Sequence, residues 1–127
     1  MTLKTLIAAS AVSMLALFAT IASAADVDVR CEKRTHRSSA SIDGKNLANG
    51  FYRAVLKSGD KTRRSDFEQT IAHEVEFDFD SNPNDISLGA TPIPADFIVN
   101  GQVRGYLVNQ SGLRVTPIST VMCRIRR

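Results

Sequence analysis

Apolar and charged residues alternate one by one in several short segments of this chain. In residues 26–32 the odd positions are valine or cysteine and the even positions are charged. Val121, Cys123 and Ile125 occupy every second position near the C terminus in the same way. Because successive side chains of a strand point to opposite faces, this period of two predicts strands with one buried face. The same pattern places Cys31 and Cys123 on the buried faces of their strands.

Other segments carry the same alternation, and turn residues separate them. Residues 51–57 and 73–80 are predicted strands, and residues 97–108 are predicted to form a hairpin because they contain Asn100-Gly101. Asn-Gly is a strong hairpin signal, since both residues tolerate positive φ. No window after Ala25 shows a helical pattern of apolar residues. About seven or eight short strands, with turn signals roughly every 8–12 residues, indicate an all-β fold, either an antiparallel sandwich or a barrel.

The first 24 residues have the layout of a secretory signal peptide. Lys4 gives a positive start, residues 6–19 are mostly apolar, and Ala22-Ser23-Ala24 forms a small-residue cleavage site before Ala25. The alternative is an uncleaved membrane anchor, but the segment is only marginally apolar for a span of about 20 residues. We therefore expect a signal peptide over residues 1–24 and one β domain over residues 25–127. A periplasmic or secreted location, with no membrane span after cleavage, follows from that layout.

Cys31 and Cys123 are the only cysteines in the chain. Disulfides persist in the oxidising compartments that a signal peptide leads to. We therefore predict one bond between these two residues, which ties the first strand to the last. The alternatives are two buried free thiols or a bridge between two chains. A redox role is not expected, because the chain has no C-x-x-C motif to lower a thiol pKa.

Two neighbouring segments resemble a strand pair of bacterial immunoglobulin-like domains. Residues 41–47 read Ser-Ile-Asp-Gly-Lys-Asn-Leu, and residues 50–55 read Gly-Phe-Tyr-Arg-Ala-Val. With its expected signal peptide, the chain is similar to small exported bacterial sandwich proteins. The resemblance implies a single antiparallel immunoglobulin-like β-sandwich. It departs from antibody domains, because this chain has no tryptophan and its two cysteines lie near the two ends.

The charge of the chain argues against a nucleic-acid partner. The formal net charge is only +3, and the basic residues lie in separate small groups along the sequence. Nucleic-acid binders usually gather their basic residues on one face and interleave aromatic side chains that stack on bases. We therefore expect no nucleic-acid partner.

Acidic residues occupy every second position of the predicted strand 73–80, so their carboxylates form a negative stripe. Asp78, Asp80 and Asn82 match the first three ligand positions of a Ca²⁺-binding loop. Pro83 stands where that loop needs glycine, and Gly89 stands where it needs glutamate. The hypothesis is therefore restricted to a weak Ca²⁺ site that lacks the standard loop geometry. The alternative is a solvated strand face paired with Lys or Arg from a neighbouring strand.

Residues 81–94 form the longest stretch without a strand pattern. The stretch combines Asn, Pro and Gly with three large apolar residues, Ile86, Leu88 and Ile93. Such a composition suits a rigid recognition loop of the kind that small exported inhibitors present. The alternative is that the three apolar side chains pack down as a cap on the sandwich.

Nothing in the sequence indicates catalysis, since the chain lacks G-x-S-x-G and its two histidines stand at no recognisable motif spacing. We expect an exported non-enzymatic binding or structural module of the cell envelope, with a protein or another envelope component as its partner. The alternatives are a small secreted inhibitor acting through loop 81–94 and a weak Ca²⁺-binding module. No cofactor other than Ca²⁺ is expected.

Overall fold

The computed structural model of the protein describes residues 25–127. The expected signal peptide lies outside these residues. No helix within this part has the length and apolar character needed to cross a membrane. Its elements, in chain order, are β1 (Asp26–Arg34), β2 (Arg37–Lys45), β3 (Phe51–Ser58), β4 (Lys61–Arg64), β5 (Glu68–Gln69), β6 (Val75–Asp80), α1 (Pro83–Ser87), β7 (Thr91–Pro92), β8 (Gln102–Asn109), β9 (Ser119–Met122) and β10 (Arg124–Ile125).

The strands form two sheets. Sheet I has the order β10-β1-β2-β6-β7, and sheet II has the order β4-β3-β8-β9, with β5 also paired to β3. The expected all-β fold with two sheets is confirmed. Seven strands have four or more residues, as the alternation predicts, and three strands have two. Neighbours are antiparallel except for two short edge pairs, β1 with β10 and β6 with β7, which are parallel.

The core lies between the inward faces of the two sheets. In β6, Val75, Phe77 and Phe79 are buried, as the alternation predicts. Gly105 of β8 lies opposite β1 and β2, where a Cβ atom would come within 3.0 Å of Val29 and Ile42 side-chain atoms. Glycine thus permits a close approach of the two sheets at this point. Val55 is also buried, but on the outer side of β3. The other large buried apolar residues belong to the core and are Val29, Ile42, Leu47, Tyr52, Leu56, Ile93, Phe97, Ile98, Val103 and Leu107.

The predicted Asn-Gly turn is confirmed, but the hairpin around it is shorter than expected. Asn100 and Gly101 have φ values of 55° and 64°, as both central residues of such a turn require. Val99 and Gln102 form an isolated antiparallel bridge across them. The residues before Val99 do not continue as a strand, because Phe97 turns back and its backbone amide donates to the carbonyl of Pro94.

The predicted disulfide is confirmed and lies where the chain passes from one sheet to the other. Cys31 of β1 bonds to Cys123, across a sequence separation of 92 residues. Cys123 stands between β9 of sheet II and β10 of sheet I. Both cysteines are half-buried and pack against the core from its edge. In the chain-entropy model, closing a loop of this length stabilises the fold by roughly 4–5 kcal/mol.

Candidate functional site

One part of the outer surface of sheet I is acidic. Asp28 of β1 pairs with Asp43 of β2, which in turn pairs with Glu76 of β6. Asp78 follows Glu76 on the same side, because it is two residues further along the strand. We call these four residues the acidic face. The predicted negative stripe is therefore one part of a charged surface that crosses three strands.

Asp43 shows the effect of this crowding. Partial burial raises the pKa of its carboxyl group above the ordinary value, and the carboxylates of Glu76 and Asp28 raise it further. Arg30 opposes them, because its guanidinium donates to Asp43 Oδ2 at 3.1 Å. The face therefore contains a carboxylate whose ionised form is destabilised by folding.

Two of the three predicted cation ligands, Asp80 and Asn82, already form hydrogen bonds to other groups of the protein. Asp80 is buried and accepts two hydrogen bonds from Arg37, at 2.9 and 2.7 Å. Asn82 is the N-cap of α1, where its side chain accepts from the backbone amides of Asn84 and Asp85. Asp78 is exposed on the acidic face. No group of three or more His, Cys, Asp or Glu side chains within residues 25–127 is arranged to hold a metal ion. The cation site stays a prediction.

The buried Asp80 is stabilised in its ionised form. Burial alone raises the pKa of its carboxyl group, but Arg37 and the backbone amides of Asn82 and Ser81 outweigh burial and hold the pKa below the ordinary value. Arg37 also donates to Asp85 at 2.9 Å. This ion cluster anchors α1 to the end of β6, so it has a structural role.

The three apolar residues of loop 81–94 are not brought together. Ile93 is buried in the core, Ile86 is half-buried, and Leu88 is 85% exposed. The stretch is also more regular than its composition suggests, because it contains α1 and β7. Of the three, only Leu88 has most of its side chain exposed, and the recognition loop stays a prediction.

Sheet II carries the opposite charge on its outer surface. Arg53 and Lys57 are outward positions of β3, because Tyr52, Ala54 and Leu56 between and beside them are buried. The strand register then brings three arginines from distant parts of the chain to the same surface. Arg64 pairs with Val55, Arg104 pairs with Lys57, and Arg114 bridges to Val108. We call the surface that carries Arg53, Lys57, Arg64, Arg104 and Arg114 the basic face.

The cations of the basic face lack acidic partners in the described part of the chain. The ion pairs there, formed within 4.0 Å, involve none of these five side chains. Two of the five lie over aromatic rings instead. The Arg53 guanidinium is 4.3 Å from the centroid of Phe67, and the Lys57 ammonium is 5.9 Å from the centroid of Tyr106. These are cation–π contacts, which leave the positive charge free to attract an anion.

An open depression of about 630 Å³ lies in the basic face. Val55, Tyr106 and Val108 belong to its apolar lining, and no acidic residue lines it. Arg53 and Arg64 line it next to β3 and β4, and Arg114 lines it next to β8. The rest of the lining is Phe67, Ile118 and residues 110–112. The basic face thus combines positive charge, aromatic rings and a concave surface.

The sequence prediction missed this surface because it considered basic residues only in contiguous groups. The signal was present in the alternation, since Arg53 and Lys57 on one strand and Arg104 on another all occupy outward positions. Comparison with protein-family models, with characterised proteins and with solved structures finds no match to this chain.

Proposed function

We propose that this chain is an exported, non-enzymatic binding module of the cell envelope that binds an anionic ligand through the basic face. The observation that carries the proposal is the gathering of five cationic side chains on one sheet surface, without a carboxylate partner among residues 25–127. Clustered charges of one sign attract ligands of the opposite sign and speed their association. The four carboxylates of the acidic face, on the other sheet, disfavour binding of the same ligands there.

We also propose that the sandwich is immunoglobulin-like. In constant-type domains the first, second, fourth and fifth strands share one sheet and the third, sixth and seventh share the other, while variable-type domains add a strand after the third to that second sheet, the position that β4 has here. Here β1, β2 and β6 are neighbours in sheet I, and β4, β3, β8 and β9 are neighbours in sheet II. This order supports the proposal. The disulfide has a different position from the one in antibody domains, because it joins the first strand to the crossing near the C terminus.

The disulfide supports a periplasmic or secreted location, because such bonds persist in oxidising compartments and are rare in the cytosol. Cell fractionation followed by mass spectrometry tests this part of the proposal. The expected product is an exported chain that begins at Ala25 and contains the Cys31–Cys123 bond. A chain that keeps residues 1–24 and remains in the cytosol would contradict it.

Titration with poly-L-glutamate tests binding through the basic face. This probe carries carboxylates but neither sugar rings nor nucleobases. Binding should weaken steeply with salt, because each neutralised charge releases a counterion. If three to five cations take part, a plot of log K against log salt has a slope of roughly −2 to −4.

Two charge-reversed variants with equal net charge locate the binding surface. Arg64→Glu with Arg114→Glu changes two exposed residues of the basic face, and we expect binding to weaken by about tenfold or more. Lys45→Glu with Arg127→Glu makes the same change in net charge at exposed positions outside that face. If both double variants lose affinity equally, the attraction depends on net charge alone and the proposal is wrong.

A further inference from the structure

The depression in the basic face has room for a ring as well as for a charge. Its lining is apolar at Val55, Val108 and Ile118, and it includes one half-buried aromatic side chain, Tyr106. Val55 is already buried, but a polyanion without rings would use the arginines and leave Tyr106, Val108 and Ile118 partly in water. Small-molecule sites usually combine such an apolar lining with a few placed polar groups. The depression therefore fits a ligand that has both an apolar ring face and a negative charge.

The polar groups around the depression can bind the negative charge and the hydroxyl groups of such a ligand. Guanidinium groups bind carboxylate, sulfate and phosphate with two parallel hydrogen bonds. Arg64 and Arg114 are exposed and stand on opposite sides of the apolar lining. Gln110 and Ser111 also line the depression, and their side-chain types, an amide and a hydroxyl, can bind ring hydroxyl groups.

We infer that the depression is a binding site for an acidic sugar residue of a polysaccharide. A pyranose ring packs its C–H face on Val108, Ile118 and the part of Tyr106 that Lys57 does not cover, while its anionic substituent binds Arg64 or Arg114. The inference rests on the proposed anion binding by the basic face and names the class of ligand. A polysaccharide also suits a protein whose disulfide requires an oxidising compartment.

Single-stranded nucleic acid fits the basic face less well. Such strands bind by stacking successive bases on open aromatic faces. Phe67 and Tyr106 are the aromatic residues that line the depression, and a cation lies over each ring. A base would have to displace that cation before it could stack on the same side. A sugar ring that contacts the aliphatic side chains and the uncovered part of Tyr106 leaves the cation in place.

Isothermal titration calorimetry with four polymers at one salt concentration tests the inference. The probes are oligogalacturonate, poly-L-glutamate of the same charge number, neutral dextran and a thymidine oligonucleotide. We expect the tightest binding with oligogalacturonate, by about three- to tenfold over polyglutamate, which is the scale of one aromatic contact. Dextran should not bind, because it brings no charge to the arginines.

Two aromatic variants separate the ring contact from general attraction. Tyr106→Leu should reduce the affinity for oligogalacturonate about three- to tenfold and leave polyglutamate binding unchanged. Phe51→Leu is the matched control, because Phe51 is an exposed aromatic residue of β3 that does not line the depression. If Tyr106→Leu unfolds, Ile118→Ser serves instead, because Ile118 is an exposed apolar residue of the depression, and it should weaken oligogalacturonate binding and leave polyglutamate binding unchanged.

The outcomes distinguish the inference from the proposal beneath it. Equal affinity for oligogalacturonate and polyglutamate, or an unchanged affinity in Tyr106→Leu, would overturn the sugar site and leave anion binding intact. Tighter binding of the oligonucleotide than of oligogalacturonate would assign the face to nucleic acid. Absence of binding to every anionic polymer would overturn both the inference and the proposed function.

Discussion

At the scale of single residues, Arg37 stabilises the fold by pairing with a buried carboxylate. It neutralises Asp80, whose side chain is only 9% exposed, and it also reaches Asp85. Removing one partner of such a pair leaves a desolvated charge without compensation, which costs more than the pair itself contributes. The sequence could not reveal this contact, because Arg37 and Asp80 are 43 residues apart and meet only when β2 and β6 pair.

Arg37→Gln is expected to lower the free energy of unfolding by roughly 1–3 kcal/mol at neutral pH. The pKa of Asp80 is depressed in the folded wild type, so its contribution is present above the unfolded pKa and is lost as pH falls through the folded pKa. The difference between variant and wild type should therefore shrink on acidification. Urea unfolding at several pH values measures it.

Arg34→Gln is the control for this prediction. Arg34 binds Glu32 at 2.8 Å, but both side chains are more exposed than Asp80. Its loss should lower the free energy of unfolding by less than about 1 kcal/mol. Equal losses in the two variants would show that Asp80 does not depend on Arg37.

Asp43→Asn is expected to stabilise the protein at neutral pH. The pKa of Asp43 is raised by burial and by Glu76 and Asp28, so its ionised form opposes folding above that pKa. Replacing it should raise the free energy of unfolding by roughly 0.2–1 kcal/mol, and the gain should vanish as pH falls through the pKa of Asp43. Asp66→Asn, an exposed position outside the acidic face, is the control. A stability loss at neutral pH would contradict this account of the face.

At the scale of elements, strands were easier to predict than the short helix. The alternation in β6 predicts its buried face correctly, because a half-buried strand needs only a period of two. α1 has five residues, too few for a helical period to show. Its N-terminal signals were nevertheless present in the sequence. Asn82 precedes Pro83 as a cap, and Asp85 lies in the first turn.

Replacement by serine is expected to destabilise the protein strongly at Ile93 and hardly at all at Leu88. Ile93→Ser should lower the free energy of unfolding by about 2–5 kcal/mol, because it removes a buried side chain from the core. Leu88→Ser should change it by less than about 0.5 kcal/mol, because Leu88 is exposed. Thermal unfolding of both variants measures the contrast. A large loss of stability in Leu88→Ser would show that the Leu88 side chain is buried against the domain and not exposed.

At the scale of the whole molecule, the acidic face of sheet I and the basic face of sheet II lie on opposite outer surfaces. The net charge of +3 conceals this division, because the acidic and basic faces largely cancel. Pairing of β3 with β4 and β8 brings Arg53, Arg64 and Arg104 together, although they lie in separate parts of the sequence. Knowing which residues form strands does not show which strands pair or which residues lie opposite each other. The acidic stripe could be predicted because it lies within one strand.

Mapping the bound surface tests the central claim most directly. Nitrogen–proton correlation NMR spectra, recorded while polyglutamate is added, report which backbone amides change their environment. We predict that the shifts concentrate on β3, β4, β8 and residues 110–118, and that they vanish in high salt. Shifts concentrated on the acidic face or on loop 81–94, with the basic face unchanged, would contradict the account.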